Sequence, residues 1–483
     1  MAEETLQALN AYRAHPDLVR EHSNIEQAIT QSGYGRKQLN ELIQNAADAV
    51  DLPNGRVRIV LTEGALYCAN EGSPFTEAGY RTLMLSHSSE KRDDQIGRFG
   101  LGFKSVIQIS DSPQIFSRSG SVGWDRRLST ELLEPLYPGL VSYPVLRIAN
   151  PVDPAAAAES DPVLGELMAW ATTVVKLPLA QQAGWLTEEM RKFPHEFLLF
   201  SQNVGSLEFD NRIDGTLTAW SARRDGSTVI LASDEAQEEW RIFRYRHQVS
   251  PMAAAEAGSI AARESVEVTW AVPIAGNPRR ARGTFWNYFP TSHATSLRGI
   301  VNAAFKMNED RHSMLHTLYN KEILQKAVPM MVAGALATFH DAADPAGYLD
   351  FLPARGREII SWADTVMNEP IFAALSAVPC LPDRAGELQG VSDLFFPPDL
   401  DEATRLEEMW DSWVGLDRPW LHRSASATKE RRLMVRRLLG IANKGKASVE
   451  QWLEEITHGR GLDDFENALR IAVEIEKRWL GPR

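Results

Sequence analysis

Between Arg36 and Val50 the chain reads RKQLNELIQNAADAV. Glu41, Asn45 and Asp48 fall at i, i+4 and i+7, so a helix here lines them up on one side. A carboxylate, a short carboxamide and a second short carboxylate offer oxygen ligands to a hard cation and a base that can polarise water. A side built only for solubility favours long Lys, Arg and Glu side chains, yet no cation stands between Gln38 and Val50. On spacing alone, a solvated surface helix remains the plain alternative.

A second chemistry-bearing run is Ile96–Ser105, IGRFGLGFKS, with Gly97, Gly100 and Gly102 in a GxxGxG pattern. Glycine lets successive N–H groups turn toward one concavity, which is how backbone nests hold phosphate. A helix is expected just after it, and a helix N-terminus favours an anion. The run is not a Walker A loop, because Phe103 separates Gly102 from Lys104 and puts the lysine one residue late. Nor is it a dinucleotide fingerprint, since the glycine order is reversed and a polar loop precedes it. Taken by itself it also reads as a tight turn packed on a helix.

These residues need elements to hold them. Leu39, Leu42, Ile43, Ala46 and Val50 recur at helical spacing, so residues 36–50 form one amphipathic helix. Residues 56–70 read as a hairpin turning at Thr62-Glu63-Gly64. Residues 1–33 form an arm with helical stretches, and 76–96 begin helical and end as a polar loop. Gln114–Arg118, Thr173–Leu177 and Val204–Phe209 are further strand candidates. A second α/β segment, about 214–325, holds the strand-like runs Ser227–Ala232, Ser265–Ala271 and Thr284–Tyr288. From 326 to 483 the pattern is mostly helical, with a Pro-rich irregular stretch at 378–400. The alanine run Ala155–Ala158 reads as a surface loop.

Composition bounds the rest. The 483 residues are 44% hydrophobic and 24% charged, which fits several globular domains. Two cysteines, Cys68 and Cys380, exclude a disulfide scaffold or zinc ribbon and fit a reducing compartment. The acidic, polar N-terminus lacks the features of a signal peptide, and no apolar run approaches the ~20 residues that span a bilayer. The expected location is cytoplasmic, with no membrane contact. A net charge of −13 disfavours general binding to phosphate backbones. Two basic clusters, 278–282 (PRRAR) and 429–446, are candidates for contact with nucleic acid or an acidic partner; for the second, a solvated helix face is the other reading. The eleven histidines form no HExxH pattern, and no GxSxG supports a serine hydrolase.

ELIQNAADA (Glu41–Ala49), LYCANEGSPF (Leu66–Phe75) and IGRFGLGFKS (Ile96–Ser105) occur in that order within a short span. Together they resemble the GHKL ATPase superfamily of gyrase B, the large heat-shock chaperones, histidine kinases and MutL. The likeness is greatest to the sacsin-like N-terminal ATP-binding domain. ATTVVKLPL (Ala171–Leu179), FLLFSQNVGSLEF (Phe197–Phe209) and the segment Phe285–Leu315 extend it over about 1–325.

The resemblance implies an α/β fold: a Bergerat-type sandwich over 1–213, a transducer-like α/β domain over 214–325, and a mainly helical region over 326–483 that is open to being part of a longer protein. It implies ATP and Mg²⁺ as ligands and an ATP-hydrolysing conformational switch that is chaperone-like or regulates a partner. Glu41 matches the general base, Asn45 the Mg²⁺ ligand and Asp48 the acid beside the nucleotide. Gly72 falls in the adenine-binding turn, where Asn70 stands in place of the adenine-reading aspartate and Pro74 in place of a glycine. Ser89 and Lys91 resemble the base of an ATP lid. Gly97, Gly100, Leu101, Gly102, Phe103 and Lys104 form the phosphate loop, and Thr173 lies on a strand behind the adenine. Arg311, in NEDRHSML, resembles a phosphate-sensing arginine; an ordinary helix-start arginine is the other reading. The partner is an unspecified protein or nucleic acid, and an ATP-dependent dimer is allowed. Two other functions stay open: a nucleic-acid-directed ATPase in DNA maintenance or defence, and a nucleotide-gated scaffold that does not hydrolyse.

Overall fold

The computed structural model describes residues 2–31, 37–84, 103–180, 184–261, 264–275, 283–308, 312–339, 341–353, 361–398, 418–448 and the single positions 451, 469, 473 and 476. The protein is mixed α/β. Its first half runs α1 (Ala2–Ala14), α2 (Asp17–Gln31), α3 (Gln38–Ala49), β1 (Gly55–Leu61), β2 (Ala65–Asn70), α4 (Glu77–Met84), β3 (Gln114–Ser117) and β4 (Gly120–Trp124). It continues with α5 (Arg126–Leu133), β5 (Ala149–Pro151), α6 (Pro154–Ser160), α7 (Pro162–Met168), β6 (Thr173–Pro178), α8 (Gly184–Lys192) and β7 (Val204–Asn211). Then come β8 (Thr216–Asp225), β9 (Thr228–Ala232), β10 (Gln237–Gln248), β11 (Ser265–Ala275), β12 (Gly283–Trp286), β13 (Pro290–Thr295) and β14 (Ile300–Ala303).

These strands form one fourteen-stranded sheet in the order β13-β12-β14-β11-β10-β9-β8-β7-β1-β2-β6-β3-β4-β5. The β1–β7 and β12–β14 pairs are parallel and the others antiparallel, so the sheet is mixed. The expected hairpin is present: β1 and β2 pair from Leu61↔Leu66 to Val57↔Asn70.

Alternation along β2 decides which layer covers which face. Leu66 and Cys68 join the core that holds Leu39, Leu42, Ile43 and Ala46 of α3. Ala65, Tyr67 and Ala69 point the other way, onto Leu164 and Leu167 of α7. Burying each large apolar side chain of α3 stabilises the fold by about 1.5–3 kcal/mol. That apolar side fixes the rotation of α3 and therefore where Glu41, Asn45 and Asp48 stand.

At β10 the sheet exchanges faces. Trp240 and Ile242 belong to the α3 core, whereas Phe243 and Tyr245 pack on the core of the C-terminal half. That second core includes Met331 and Val332 of helix Val328–Ala335, Met367 and Ile371 of helix Trp362–Ser376, and Val435 and Leu438 of helix Lys429–Ile441.

Three expectations are corrected. Ala155–Ala158 lies in α6, because Asp153 caps the N-terminus by accepting from Ala155 and Ala156 N–H and Pro154 takes the first turn. The segment after the glycine run is a six-residue 3-10 turn, Phe103–Gln108, too short to carry a helix dipole of any size. Finally, helix Lys429–Ile441 is not simply a solvated basic face. Arg431 is 5% exposed and donates to Asp350 at 2.6 and 3.0 Å and to Asp344 at 2.7 and 2.8 Å. The cluster 278–282 lies outside the described residues.

Candidate functional site

Asn70 ends β2, Thr173 begins β6 and Ser117 ends β3, and the three are register partners across adjacent strands. Asn70 continues the alternation of Leu66 and Cys68, so all three lie on the α3 face of the sheet. Asn70 and Thr173 are each 3% exposed. The Asn70 amide nitrogen donates to Glu71 O at 2.9 Å, leaving its Oδ1 as the acceptor end. Thr173 Oγ1 donates to Ser117 Oγ at 3.2 Å, and Ser117 Oγ also receives Phe75 N–H at 3.1 Å.

The turn after β2 sits directly on the end of α3. Gly72 has φ +118°, and a Cβ there would lie 2.1 Å from Ala49 O. Ser73 N–H donates to Ala49 O at 2.9 Å, and Ser73 Oγ bonds the Asp51 carboxylate. Only glycine permits this approach, so Gly72 brings the strand end carrying Asn70 against the helix end carrying Asp48. Glu71 is committed elsewhere: its carboxylate accepts Arg56 N–H at 2.9 Å and its own N–H donates to Arg56 O at 3.0 Å. It therefore anchors the turn to β1.

Beyond the turn, the chain is latched to the β3–β4 hairpin. Ser119 Oγ donates to Phe75 O at 2.7 Å and Tyr80 Oη to Gly120 O at 2.7 Å, while the Phe75 and Tyr80 rings lie 5.0 Å apart. This latch holds α4 at the rim of the site.

On α3, Glu41 is 5% exposed, and Asn45 and Asp48 are half-buried. The helix packs on β2 and on Phe103–Gln108. Phe103 and Lys104 are buried within that turn. Burial, reinforced by the nearby Arg147 charge, lowers the Lys104 ammonium to about 8. Ser89, Lys91, Gly97, Gly100, Leu101, Gly102 and Arg311 lie outside the described residues. The residues flanking Arg311 pair closely: Met307 bridges Met314, and Asn308 N–H donates to Ser313 O at 2.9 Å.

Glu41, Asn45, Asp48, Asn70, Gly72, Thr173, Phe103 and Lys104 thus sit on elements that pack directly on one another. Ser117, Phe75, Tyr80 and Glu71 complete the set. Sequence reading missed Ser117, because its register with Thr173 joins strands far apart in the chain. Among the described residues no group of three or more His, Cys, Asp and Glu side chains could hold a metal unaided.

No family model matches the chain, and none of the curated proteins is significantly similar to it. Among the described residues no helix is long and apolar enough to cross a membrane.

Proposed function

We propose that the chain binds Mg·ATP between α3 and the ends of β2, β6 and β3, hydrolyses it, and acts as a GHKL-type conformational switch. The observation that carries this reading is the Gly72 turn seated on the end of α3. It brings the end of the Glu41–Asn45–Asp48 helix against the Asn70–Thr173–Ser117 strand ends, which supports reading them as one site. The finer fold reading, a Bergerat-type sandwich over 1–213 followed by a transducer-like region over 214–325 and a helical region over 326–483, is part of the same proposal. It is supported by the helix layer on the mixed sheet and by the run of sheet hydrogen bonds from β7 into β8.

Each residue has a chemical task in this reading. Asn70 Oδ1 accepts from the adenine amino group, and the Thr173–Ser117 hydroxyl pair backs the base. Asp48 and Gly72 shape the base pocket. Asn45 supplies the protein oxygen for Mg²⁺, which when bound neutralises phosphate charge. The Gly97–Lys104 run supplies backbone N–H groups and one cation to the phosphates. Ser89 and Lys91 belong to the lid, and Arg311 to a sensor from the second region. Glu41 orients a water in line with the γ-phosphorus and takes its proton. The new P–O bond forms as the β–γ bridge breaks, releasing ADP and phosphate. Positioning and charge neutralisation supply most of the rate in such transfers.

Calorimetric titration tests the binding half. Mg·ATP is expected to bind at one site, more weakly when Mg²⁺ is chelated, and ADP to compete. Absence of binding by all three nucleotide forms (Mg·ATP, free ATP and ADP) overturns the reading.

A further inference from the structure

Thr173, Ser117 and Ser119 form a row of hydroxyls that begins in the candidate site and ends on the latch holding α4. Thr173 Oγ1 lies 3.2 Å from Ser117 Oγ, and Ser119 Oγ lies 3.4 Å from the same oxygen. Two backbone groups fix the far end of the row. Phe75 N–H donates to Ser117 Oγ at 3.1 Å, and Phe75 O accepts from Ser119 Oγ at 2.7 Å. An amide N–H only donates and a carbonyl oxygen only accepts. The one proton of Ser119 is therefore spent on Phe75, and toward Ser117 this hydroxyl accepts. Tyr80 Oη borders both serines, but it spends its own proton on Gly120 O at 2.7 Å and adds none to the row.

Ser117 is left with one proton and two hydroxyl neighbours. Given to Ser119, that proton completes a chain in which Thr173 donates to Ser117, Ser117 to Ser119 and Ser119 to Phe75 O. A chain running in one direction is cooperative, and it leaves Thr173 with lone pairs alone to offer a ligand. Given to Thr173 instead, the same proton frees the Thr173 proton for a ligand and uncouples Ser117 from Ser119. Separations of 3.2 and 3.4 Å are long for hydroxyl pairs, so neither arrangement is held tightly.

We propose that Ser117 is a positioning residue whose proton switches between Ser119 and Thr173, and so couples what binds at Thr173 to the latch. The inference rests on the nucleotide reading for its ligand and on the hydroxyl row for its coupling. Asn70 has no comparable freedom: its Nδ2 donates to Glu71 O, which leaves Oδ1 as the end that meets an amino group. Thr173 is the register partner of Asn70, and the adenine ring nitrogen beside the amino group only accepts. Base binding therefore draws the Thr173 proton outward, turns the Ser117 proton to Thr173 and breaks the chain at Ser119. By linkage, whatever removes the Ser117–Ser119 bond favours the base.

The test is a cycle of substitutions in the full chain, with adenosine as the probe in calorimetry. Ser119→Ala removes the competing acceptor, so it is expected to tighten adenosine about threefold, the equivalent of one weak hydrogen bond. In a Ser117→Ala background the same substitution is expected to change nothing. A purely structural latch predicts the opposite sign: Ser119→Ala loosens the turn and weakens adenosine in both backgrounds. Unchanged or weaker binding in Ser119→Ala, or equal tightening in both backgrounds, overturns the proposal. A second readout needs no ligand. In magnetic resonance spectra selective for phenylalanine amides, Thr173→Val is expected to move the Phe75 resonance when Ser117 is present and to leave it in place in the Ser117→Ala background. A Phe75 resonance that Thr173→Val does not move overturns the coupling by itself. If it moves as stated while adenosine binds to no variant, the hydroxyl coupling stands and the nucleotide reading alone fails.

Discussion

Replacing Gly72 by alanine separates the two halves of the site without touching any polar side chain. An ideal Cβ at Gly72 lies 2.1 Å from Ala49 O, 2.7 Å from Val50 Cα and 2.8 Å from Ala49 C. Non-bonded carbon contacts are comfortable near 3.5–4.0 Å, so the turn must retreat by roughly 1 Å. All three neighbours are backbone, and none can rotate aside. Retreat breaks the 2.9 Å bond from Ser73 N–H to Ala49 O, worth about 1 kcal/mol. The φ of +118° adds about 1–3 kcal/mol for a residue with a Cβ. The total is about 3 kcal/mol, which corresponds to roughly a hundredfold change in a local opening equilibrium.

The strain falls on one turn, so the assay is local. Hydrogen exchange of the Ser73 amide is expected to accelerate about a hundredfold, by the same conversion. Two other glycines calibrate the result. Gly226 has φ +56° with open space around it, so Gly226→Ala isolates the backbone penalty at about 1 kcal/mol. Gly64 meets nothing within 4 Å, and Gly64→Ala should stay within about 0.5 kcal/mol. If Gly72→Ala exchanges at Ser73 as slowly as the unaltered protein, the close-approach argument is wrong.

Asn45→Ala should weaken Mg·ATP binding in calorimetry far more than binding of adenosine; equal losses would make Asn45 a structural residue only. Lys104 titrates at about 8 in the fold against 10.5 when free, so below pH 8 its buried charge destabilises the fold by about 3 kcal/mol. Between those two values the unfolded chain holds the extra proton, so stability rises with pH across that window and levels off above it. Thermal midpoints from pH 7 to 10.5 should show the rise in the unaltered chain and its loss in Lys104→Met; a pH slope that survives the substitution assigns the effect elsewhere. Arg431→Met removes a shared cation from Asp344 and Asp350, whose side chains are 44% and 39% exposed, so the cost is about 2 kcal/mol rather than the 3–5 of a fully buried pair. Faster hydrogen exchange confined to helix Lys429–Ile441 and Gly347–Phe351 would bear this out, and an unaltered exchange pattern would contradict it.

What could be read from sequence was whatever obeyed one period over one face. α3 kept its apolar residues at helical spacing, and β1 and β2 kept theirs in short apolar runs, so their bounds agree with the expectation to within two residues. β10 escaped notice although it is twelve residues long. It buries Trp240 and Ile242 on one face and Phe243 and Tyr245 on the other, so no single alternation runs through it. β8 escaped for a different reason: Leu217 is 65% exposed and most of the strand faces solvent, which leaves no buried pattern to read. In the candidate site, Glu41, Asn45 and Asp48 could be proposed from the sequence because three spaced residues on one helix need no tertiary information. Ser117 could not. It acquires its place from Thr173, a partner more than fifty residues away. The basic helix misled because charge pattern alone does not separate the buried Arg431 from its solvated neighbours.

The central claim is that Glu41 acts on water at a bound nucleotide, and one paired measurement tests it. ATP turnover by the full chain, followed as phosphate release, is set beside Mg·ATP affinity for the unaltered protein and for Glu41→Ala. Turnover should fall to background in the variant while affinity changes little, because the carboxylate acts on water rather than on the ligand. Normal hydrolysis by Glu41→Ala contradicts the account.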